Sequence, residues 1–422
     1  MNARLNTNIH EATRLTREGR LAEAMALLQG MSPSGPPSHA ADDNDKDVGK
    51  RPMVSAARTI DMVPPSSARG AWTAPKFTFP NRTPDASNSP TAGLDQAQIP
   101  EALRGFLDRM SQPGLTPGFD GLVGRVPTRA PAPLPEGARF EERTFANEAG
   151  SRAYKLYIPS GYTGQPVPLV VMLHGCTQSP DDFAAGTQMN ELAEEQTFLV
   201  AYPAQAQSAN VSKCWNWFNA ADQQRDRGEP SLIAGITRQI MSDFSVEPGR
   251  VYVAGLSAGG AAAAIMGSAY PDLYAAVGVH SGLACGAARD MPSAFAAMRQ
   301  GGAPHHSGAK QPVPTIVFHG DRDTTVSPVN GDQVIAQSKA GLDLRSNVSR
   351  GQAPGGISYT RTVASDDRGH PMLEHWVLHG AGHAWSGGSP SGSYTEPKGP
   401  DASREMMRFF LEHPKARTAS PN

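Results

Sequence analysis

The chain has 422 residues, a formal net charge of -2 and only 18% charged residues, so nothing in its overall electrostatics draws it to nucleic acid or an anionic membrane. Its three cysteines, Cys176, Cys214 and Cys285, are too few for a small disulfide-stapled fold, and no apolar run approaches the roughly 18 residues a membrane span needs. The basic N-terminal stretch MNARLNTNIHEATRLTREGR is followed by no apolar run of secretory length, which on sequence alone reads as cytoplasmic.

In chain order, residues 1–30 read as a helical hairpin. Ile9, Ala12 and Leu15 share one face, Gly19 interrupts, and Leu21, Ala24, Leu27 and Leu28 repeat the spacing. A single hairpin of this tetratricopeptide-like pattern cannot bury its own face. It either packs locally or docks on the rest of the chain, a protein partner or a polymer granule. Residues 31–137 form a Pro/Ser/Gly-rich linker expected to be largely disordered, because so few apolar residues cannot offset the entropy of ordering. FTFP at Phe77 and a short helix carrying Leu103, Phe106 and Leu107 are islands within it.

Residues 138–413 change character. YKLYI (154–158), PLVVML (168–173), FLVAYP (198–203), RVYVAG (250–255), AAVGVH (275–280), PTIVFHG (314–320) and HWVLHG (375–380) read as strands, most of them apolar throughout. Between and after them, DDFAAGTQMNELAEEQ, SLIAGITRQIMSDF, AGGAAAAIMGSAY and ASREMMRFFLEH read as helices. Apolar strands alternating with helices predict an α/β domain whose mostly parallel central sheet is covered on both faces. Residues 414–422 read as a disordered tail.

Within that domain lies Gly255-Leu256-Ser257-Ala258-Gly259. G-x-S-x-G alone is a weak signal, but here it follows one strand directly and opens one helix, the strand–sharp turn–helix context of a nucleophile elbow in an α/β-hydrolase. The glycines let strand and helix approach around the serine, and the helix N-terminus places positive potential beside its Oγ. A serine hydroxyl needs a base, and the base an orienting acid, in the chain order Ser, Asp/Glu, His. Asp323 in GDRDTTV follows one strand and His383 in AGHAW follows the last, both beyond carboxyl strand ends, where ligand sites of such sheets collect. Asp321 suits a turn cap better than a catalytic acid. His379 and His375 belong to the last strand segment, His174 and His319 read as structural, and His305 and His306 fall in a polar insertion. The expected triad is Ser257, Asp323 and His383.

The oxyanion donors are then the backbone amides of Ala258 and of Cys176, in the HGCTQ loop after an earlier strand. A cysteine nucleophile has no base placed for it. Cys176 and Cys214 both occupy loops expected near the pocket, where a disulfide or two thiols would fit; a cytosolic setting favours thiols. Trp215, Trp217 and Trp385 read either as core packing or as the wall of an apolar cleft, and Gln178 and Leu256 flank the same cleft as candidate substrate contacts. No Cys/His spacing suggests a metal, and no cofactor is expected.

Taken in order, LHGCTQSPDDFAAGTQMNELAEEQTFLVAYPAQ, CWNWF, GEPSLIAG, VYVAGLSAGGAAA, HGDRDTTV and GHAWSGG resemble the esterases of the poly(3-hydroxybutyrate) depolymerase family. The resemblance spans roughly residues 138–412, and the N-terminal hairpin resembles a leader of bacterial members. It implies a serine esterase acting on polyhydroxyalkanoate polymers or oligomers, with feruloyl or acetyl esters of plant polysaccharides as the alternative substrates. By motif it carries the triad roles onto Ser257, Asp323 and His383. It also implies an extracellular location, against the cytoplasmic reading of the N-terminus. A binding role for the N-terminal segment alone is a further alternative.

Overall fold

A computed structural model describes residues 134–302 and 312–415. The hairpin expected over residues 1–30, nearly all of the linker, the insertion with His305 and His306, and the tail beyond Lys415 lie outside the described residues. Strands β1 (Arg139–Asn147), β2 (Gly150–Ile158), β3 (Val167–Leu173), β4 (Leu199–Pro203), β5 (Val246–Leu256), β6 (Ala276–His280), β7 (Thr315–Gly320), β8 (Arg345–Gln352), β9 (Ser358–Ser365) and β10 (Pro371–Leu378) form one sheet in the order β1-β2-β4-β3-β5-β6-β7-β10-β9-β8. From β4 to β10 neighbours run parallel. The β1–β2 hairpin joins one side antiparallel to β4, and β9 and β8 extend the other side antiparallel to β10. A separate two-stranded ribbon pairs β11 (Trp385–Ser386) with β12 (Thr395–Glu396).

Each parallel strand predicted from an apolar run is present, because a strand buried on both faces must be apolar on both. In β3 every residue is buried. Leu169, Val171 and Leu173 pack into one core with helices α3 (Gly228–Asp243) and α4 (Ala258–Ala269). Val170 and Met172 face the opposite core, built with α1 (Pro180–Thr187), α2 (Met189–Gln196) and α7 (Ala402–Glu412). Helix α7 lays Met406, Met407, Phe409 and Phe410 into that second core, with the Phe410 ring stacked 4.9 Å from Tyr252 of β5.

Three differences from the sequence reading have local causes. The single helix expected over 181–196 breaks at Gln188, which takes a left-handed φ of 55 and caps α1; Ser179 accepts the Asp182 amide at its start (3.2 Å). Strands β1, β8 and β9 were not read as strands, since their partly exposed faces carry Arg, Glu, Ser and Thr. Helices α5 (Met291–Gln300) and α6 (Val329–Lys339) bury too few apolar residues to show a period. The domain also starts and ends slightly beyond 138–413: the Ala138 amide closes a turn on Pro135 O (3.0 Å), and the Lys415 amide donates to Gly249 O (2.8 Å).

Candidate active site

Ser257 lies between β5 and α4 with φ 57 and ψ -119, a conformation sparsely populated by non-glycine residues. Its surroundings enforce that geometry. A Cβ on Gly255 would sit 2.3 Å from Gly259 O, and one on Gly259 would sit 2.0 Å from Leu173 O, so neither glycine can be replaced without separating β3, β5 and α4. The Ser257 amide donates to His280 O at 2.9 Å. The residue is 9% exposed at the N-terminus of α4, where unsatisfied amides concentrate positive potential.

The loop after β3 approaches the same point. A Cβ on Gly175 would stand 3.7 Å from Ser257 Cβ, which puts the next amide, that of Cys176, beside the serine. Among the described residues, neither that amide nor the Ala258 amide has a protein acceptor. The loop is braced throughout. Gln178 accepts the Gly175 amide on Oε1 (2.9 Å) and donates from Nε2 to Asp182 Oδ2 (2.9 Å) and Ser393 O (3.1 Å). The Thr177 amide donates to Ser212 O (2.7 Å). Cys176 is disulfide-bonded to Cys214, with Cα atoms 4.2 Å apart, which decides the question the sequence left open. Cys285 is a buried free thiol.

His174, at the base of this loop, is buried with Nε2 accepting the Gln205 amide (3.1 Å). Its Nδ1 therefore carries the proton and donates to Gly175 O (2.7 Å). Burial, assisted by the nearby Lys213 charge, lowers its pKa to about 4 against the hydrogen bond to Gly175 O, so it stays neutral. Further out, the buried Glu229 accepts the Asn216 amide (2.7 Å) and Asn216 Nδ2 (2.8 Å). It also accepts Gln205 Nε2, which in turn donates to Cys214 O (2.8 Å), and faces Arg152 Nη2 at 3.4 Å. Burial first, and Asp222 second, raise its pKa above the ordinary carboxylate value. The segment bearing Cys214 is thus fixed by a buried carboxylate as well as by the disulfide.

On the other side, Asp323 is fully buried at its side chain. Oδ1 accepts the amides of Thr325 (2.9 Å) and Val326 (2.8 Å), and Oδ2 accepts His383 Nδ1 at 2.7 Å. Burial alone would raise its pKa, but the charge of His383 and the hydrogen bonds of His319 and His383 outweigh it and hold the carboxyl well below the usual range. His319 Nε2 donates to Val326 O (2.9 Å) and lies 3.5 Å from Asp323 Oδ2. An ionised Asp323 fixes the proton of His383 on Nδ1 and leaves Nε2 bare, the tautomer a general base requires. The His383 side chain is 11% exposed. Asp321 instead ties two loops together, accepting His379 Nδ1 (2.9 Å) and the Gly380 amide (2.7 Å). That is the turn-stabilising part expected of it.

His280 joins the two sides. Its carbonyl holds the Ser257 amide, and its ring Nε2 accepts the Ser386 amide (3.0 Å), close after His383. Burial, then the neighbouring His319 and His383 charges, lower its pKa to about 3, so it is a neutral strut. Sequence reading placed His174 as structural, as it is here, and missed the supporting parts of His280, Gln205, Asp182 and Glu229. The available signal was a polar residue placed at or just beyond the carboxyl end of an apolar strand, as with His174, Gln205 and His280.

The residues expected to line the cleft, Trp215, Trp217, Trp385, Gln178 and Leu256, are all buried. Trp215 is fully buried and its Nε1 donates to His174 O (3.1 Å). Trp385 is 1% exposed, donates to Ser403 Oγ (3.0 Å) and stacks on His280. Trp217 packs edge-on to Phe218, Leu256 belongs to the sheet core, and the amide of Gln178 is consumed in the loop brace. Large indoles gain from burial, and the N–H groups of Trp215 and Trp385 have each found an acceptor.

A strand–serine–helix elbow, two unengaged amides beside it and a buried Asp–His pair beyond the same strand ends define a protein of the α/β-hydrolase class. The solved acetyl xylan esterase from Aspergillus awamori shares this fold with a TM-score of 0.52 at 20% identity, over 65% of this chain and 99% of that one. Residues 152–348 match the model of the Esterase PHB depolymerase family, to which this part of the chain is similar. The chain is 33% identical over 253 residues to the poly(3-hydroxyalkanoate) depolymerase C of Paucimonas lemoignei, covering 57% of this chain and 60% of that protein. It is 27% identical over 290 residues to the feruloyl esterase B of Thermothelomyces thermophilus, covering 64% of this chain and 94% of that protein.

Proposed function

We propose that this chain is a serine carboxylic ester hydrolase in which Ser257, His383 and Asp323 act as nucleophile, general base and orienting acid. The observation that carries the reading is the buried, ionised Asp323 bonded to His383 Nδ1 at 2.7 Å, on the strand-end side shared with a strained Ser257. In the mechanism, Ser257 Oγ attacks the ester carbonyl carbon while its proton passes to His383 Nε2. The carbonyl π electrons move to oxygen, which is held by the amides of Cys176 and Ala258. Collapse breaks the bond to the leaving alkoxide, which takes the proton from His383. Water then attacks the acyl-enzyme by the same route, releasing the acid and restoring Ser257.

For the acyl group, hydroxyalkanoate polymers or oligomers are the first reading, supported by the family and by the name of the Paucimonas lemoignei relative. Acetyl or feruloyl esters of plant polysaccharides are the second, favoured by the match over 94% of the feruloyl esterase. The Cys176–Cys214 disulfide supports an oxidising, extracellular setting over the cytoplasmic one. Among the described residues no helix is long and apolar enough to cross a membrane. A granule or partner contact through residues 1–30 remains part of the proposal, tested by deleting residues 1–133 and following co-sedimentation with polymer granules.

The test of the reaction is release of 3-hydroxybutyrate, acetate and ferulate from matched esters by wild type and Ser257→Ala. Ser257-dependent release of 3-hydroxybutyrate in excess of the others supports the first reading. Preferential ferulate or acetate release would move the assignment to the second, and equal feeble rates in both proteins would remove the esterase assignment.

A further inference from the structure

Lys213 has features that neither the fold nor the acyl transfer uses. Its backbone is left-handed, with φ 52, a conformation glycine adopts freely and a side chain disfavours. The turn is closed without its side chain: the Lys213 amide donates to Asn210 O (2.8 Å), and Asn210 Oδ1 accepts the amides of Ser212 (3.0 Å) and Cys214 (3.2 Å). Glycine would make the same turn, so the turn itself does not call for a lysine.

The partly buried Lys213 has no acidic partner among the described residues. Its location is fixed by its neighbour, because Cys214 is bonded to Cys176 with Cα atoms 4.2 Å apart. One further Cα–Cα step of about 3.8 Å keeps the lysine backbone next to the loop that offers the Cys176 amide. The nearby rim is open. Val211 is 72% exposed, and the exposed Thr177 shares a hydrogen bond with Tyr394 Oη (3.3 Å).

We propose that Lys213 forms an anion subsite that reads a carboxylate carried by the ester substrate a few bonds from the scissile carbonyl. This rests on the esterase reading and narrows its substrate class. In a hydroxyalkanoate oligomer, the last ester before the free acid end has such a carboxylate on its leaving hydroxyacid, whereas interior esters of a long polymer are neutral. An uncompensated ammonium at the rim therefore favours cleavage at the acid terminus of short oligomers, by roughly tenfold for one partly solvated charge pair.

The experiment compares kcat/KM for the 3-hydroxybutyrate dimer as free acid and as its methyl ester, in wild type, Lys213→Met, Lys213→Glu and Lys213→Arg. Wild type and Lys213→Arg should prefer the free acid. That preference should fall about tenfold in Lys213→Met and further in Lys213→Glu, and added salt should shrink it in wild type but not in Lys213→Met. Inhibition of p-nitrophenyl butyrate hydrolysis by free 3-hydroxybutyrate should weaken in parallel. The same preference in all four proteins, alongside Ser257-dependent hydrolysis of p-nitrophenyl butyrate, would overturn the Lys213 subsite and leave the esterase reading standing. Absence of Ser257-dependent turnover on every ester would overturn both.

Discussion

On one side of Ser257, the loop that offers the Cys176 amide is anchored to a long irregular segment, residues 205–218, by a disulfide, the Thr177 amide on Ser212 O and the Gln205 amide on His174 Nε2. Gln178 ties the loop to Asp182 and Ser393, and the buried Glu229 holds the segment. On the other side, Asp323 and His383 follow the adjacent parallel strands β7 and β10 and are held by backbone amides, Asp321 and the neutral His280. Covalent reinforcement occurs where the neighbouring backbone has no ladder to hold it. Where two paired strands deliver the loops together, hydrogen bonds suffice. On the proposed mechanism, reduction is expected to disturb the side that presents the Cys176 amide and to spare the Asp323–His383 side.

The largest expected effect lies on the proton-handling side. Ser257→Ala or His383→Ala should each lower kcat by about three to six orders of magnitude, with little further loss in the double variant. Asp323→Asn should cost about four orders, since an amide cannot hold the imidazole in the same tautomer. A much deeper loss in the Ser257/His383 double variant would mean the residues do not work as a unit.

Next comes the braced side. Cys214→Ser, or reduction of wild type, should lower kcat by about two orders of magnitude as the Cys176 amide loses its place. It should also lower stability by about 2–4 kcal/mol, while the shape of the pH profile is retained. Undiminished turnover after complete reduction, verified by thiol counting, would show that Gln178 and Glu229 hold the loop unaided.

Acid should weaken both sides together, because each contains a buried neutral histidine. The folded-state pKa values of His174 and His280 lie at about 4 and about 3, below the ordinary 6.5 of an unfolded chain. Between those limits the unfolded state binds more protons, so stability is fully present above about pH 6.5 and falls as the pH drops, by on the order of 3 kcal/mol per histidine. Urea midpoints measured from pH 8 to pH 4 should show this decline, and His280→Gln should flatten it. A wild-type curve level across that range would remove the neutral-strut assignment.

The smallest effect is expected at Asp321, whose bonds to His379 and Gly380 are solvent-exposed. Asp321→Asn should cost below about 1 kcal/mol and change kcat only a few-fold. A loss matching that of Asp323→Asn would reverse the assignment of the two acids.

The same contrast explains how much was legible in the sequence. Strands buried on both faces announce themselves, as PLVVML and RVYVAG do, and the elbow glycines mark Ser257 because only glycine fits beside Leu173 O and Gly259 O. Chain order singled out Asp323 and His383, which the structure brings into hydrogen-bond contact. Strands β8 and β9 were silent, since RSNVSRGQ and SYTRTVAS keep polar, largely unburied faces. Aromatic richness near a site does not say which way a ring faces, so the sequence left the tryptophans open between core and cleft; Trp215 and Trp385 turn inward, where each indole N–H finds an acceptor. The struts at His174, His280 and Glu229 depend on contacts between residues far apart in the chain, which no local pattern encodes.

The central claim is that Ser257 is the nucleophile, and covalent trapping tests it most directly. Treatment with a p-nitrophenyl alkylphosphonate, followed by intact mass and peptide mapping, should release one equivalent of p-nitrophenol per chain. The adduct should map to Ser257 and be absent from Ser257→Ala and strongly slowed in His383→Ala. An adduct on any other residue, or none under conditions where ester hydrolysis proceeds, would show that the elbow serine is not the group that attacks.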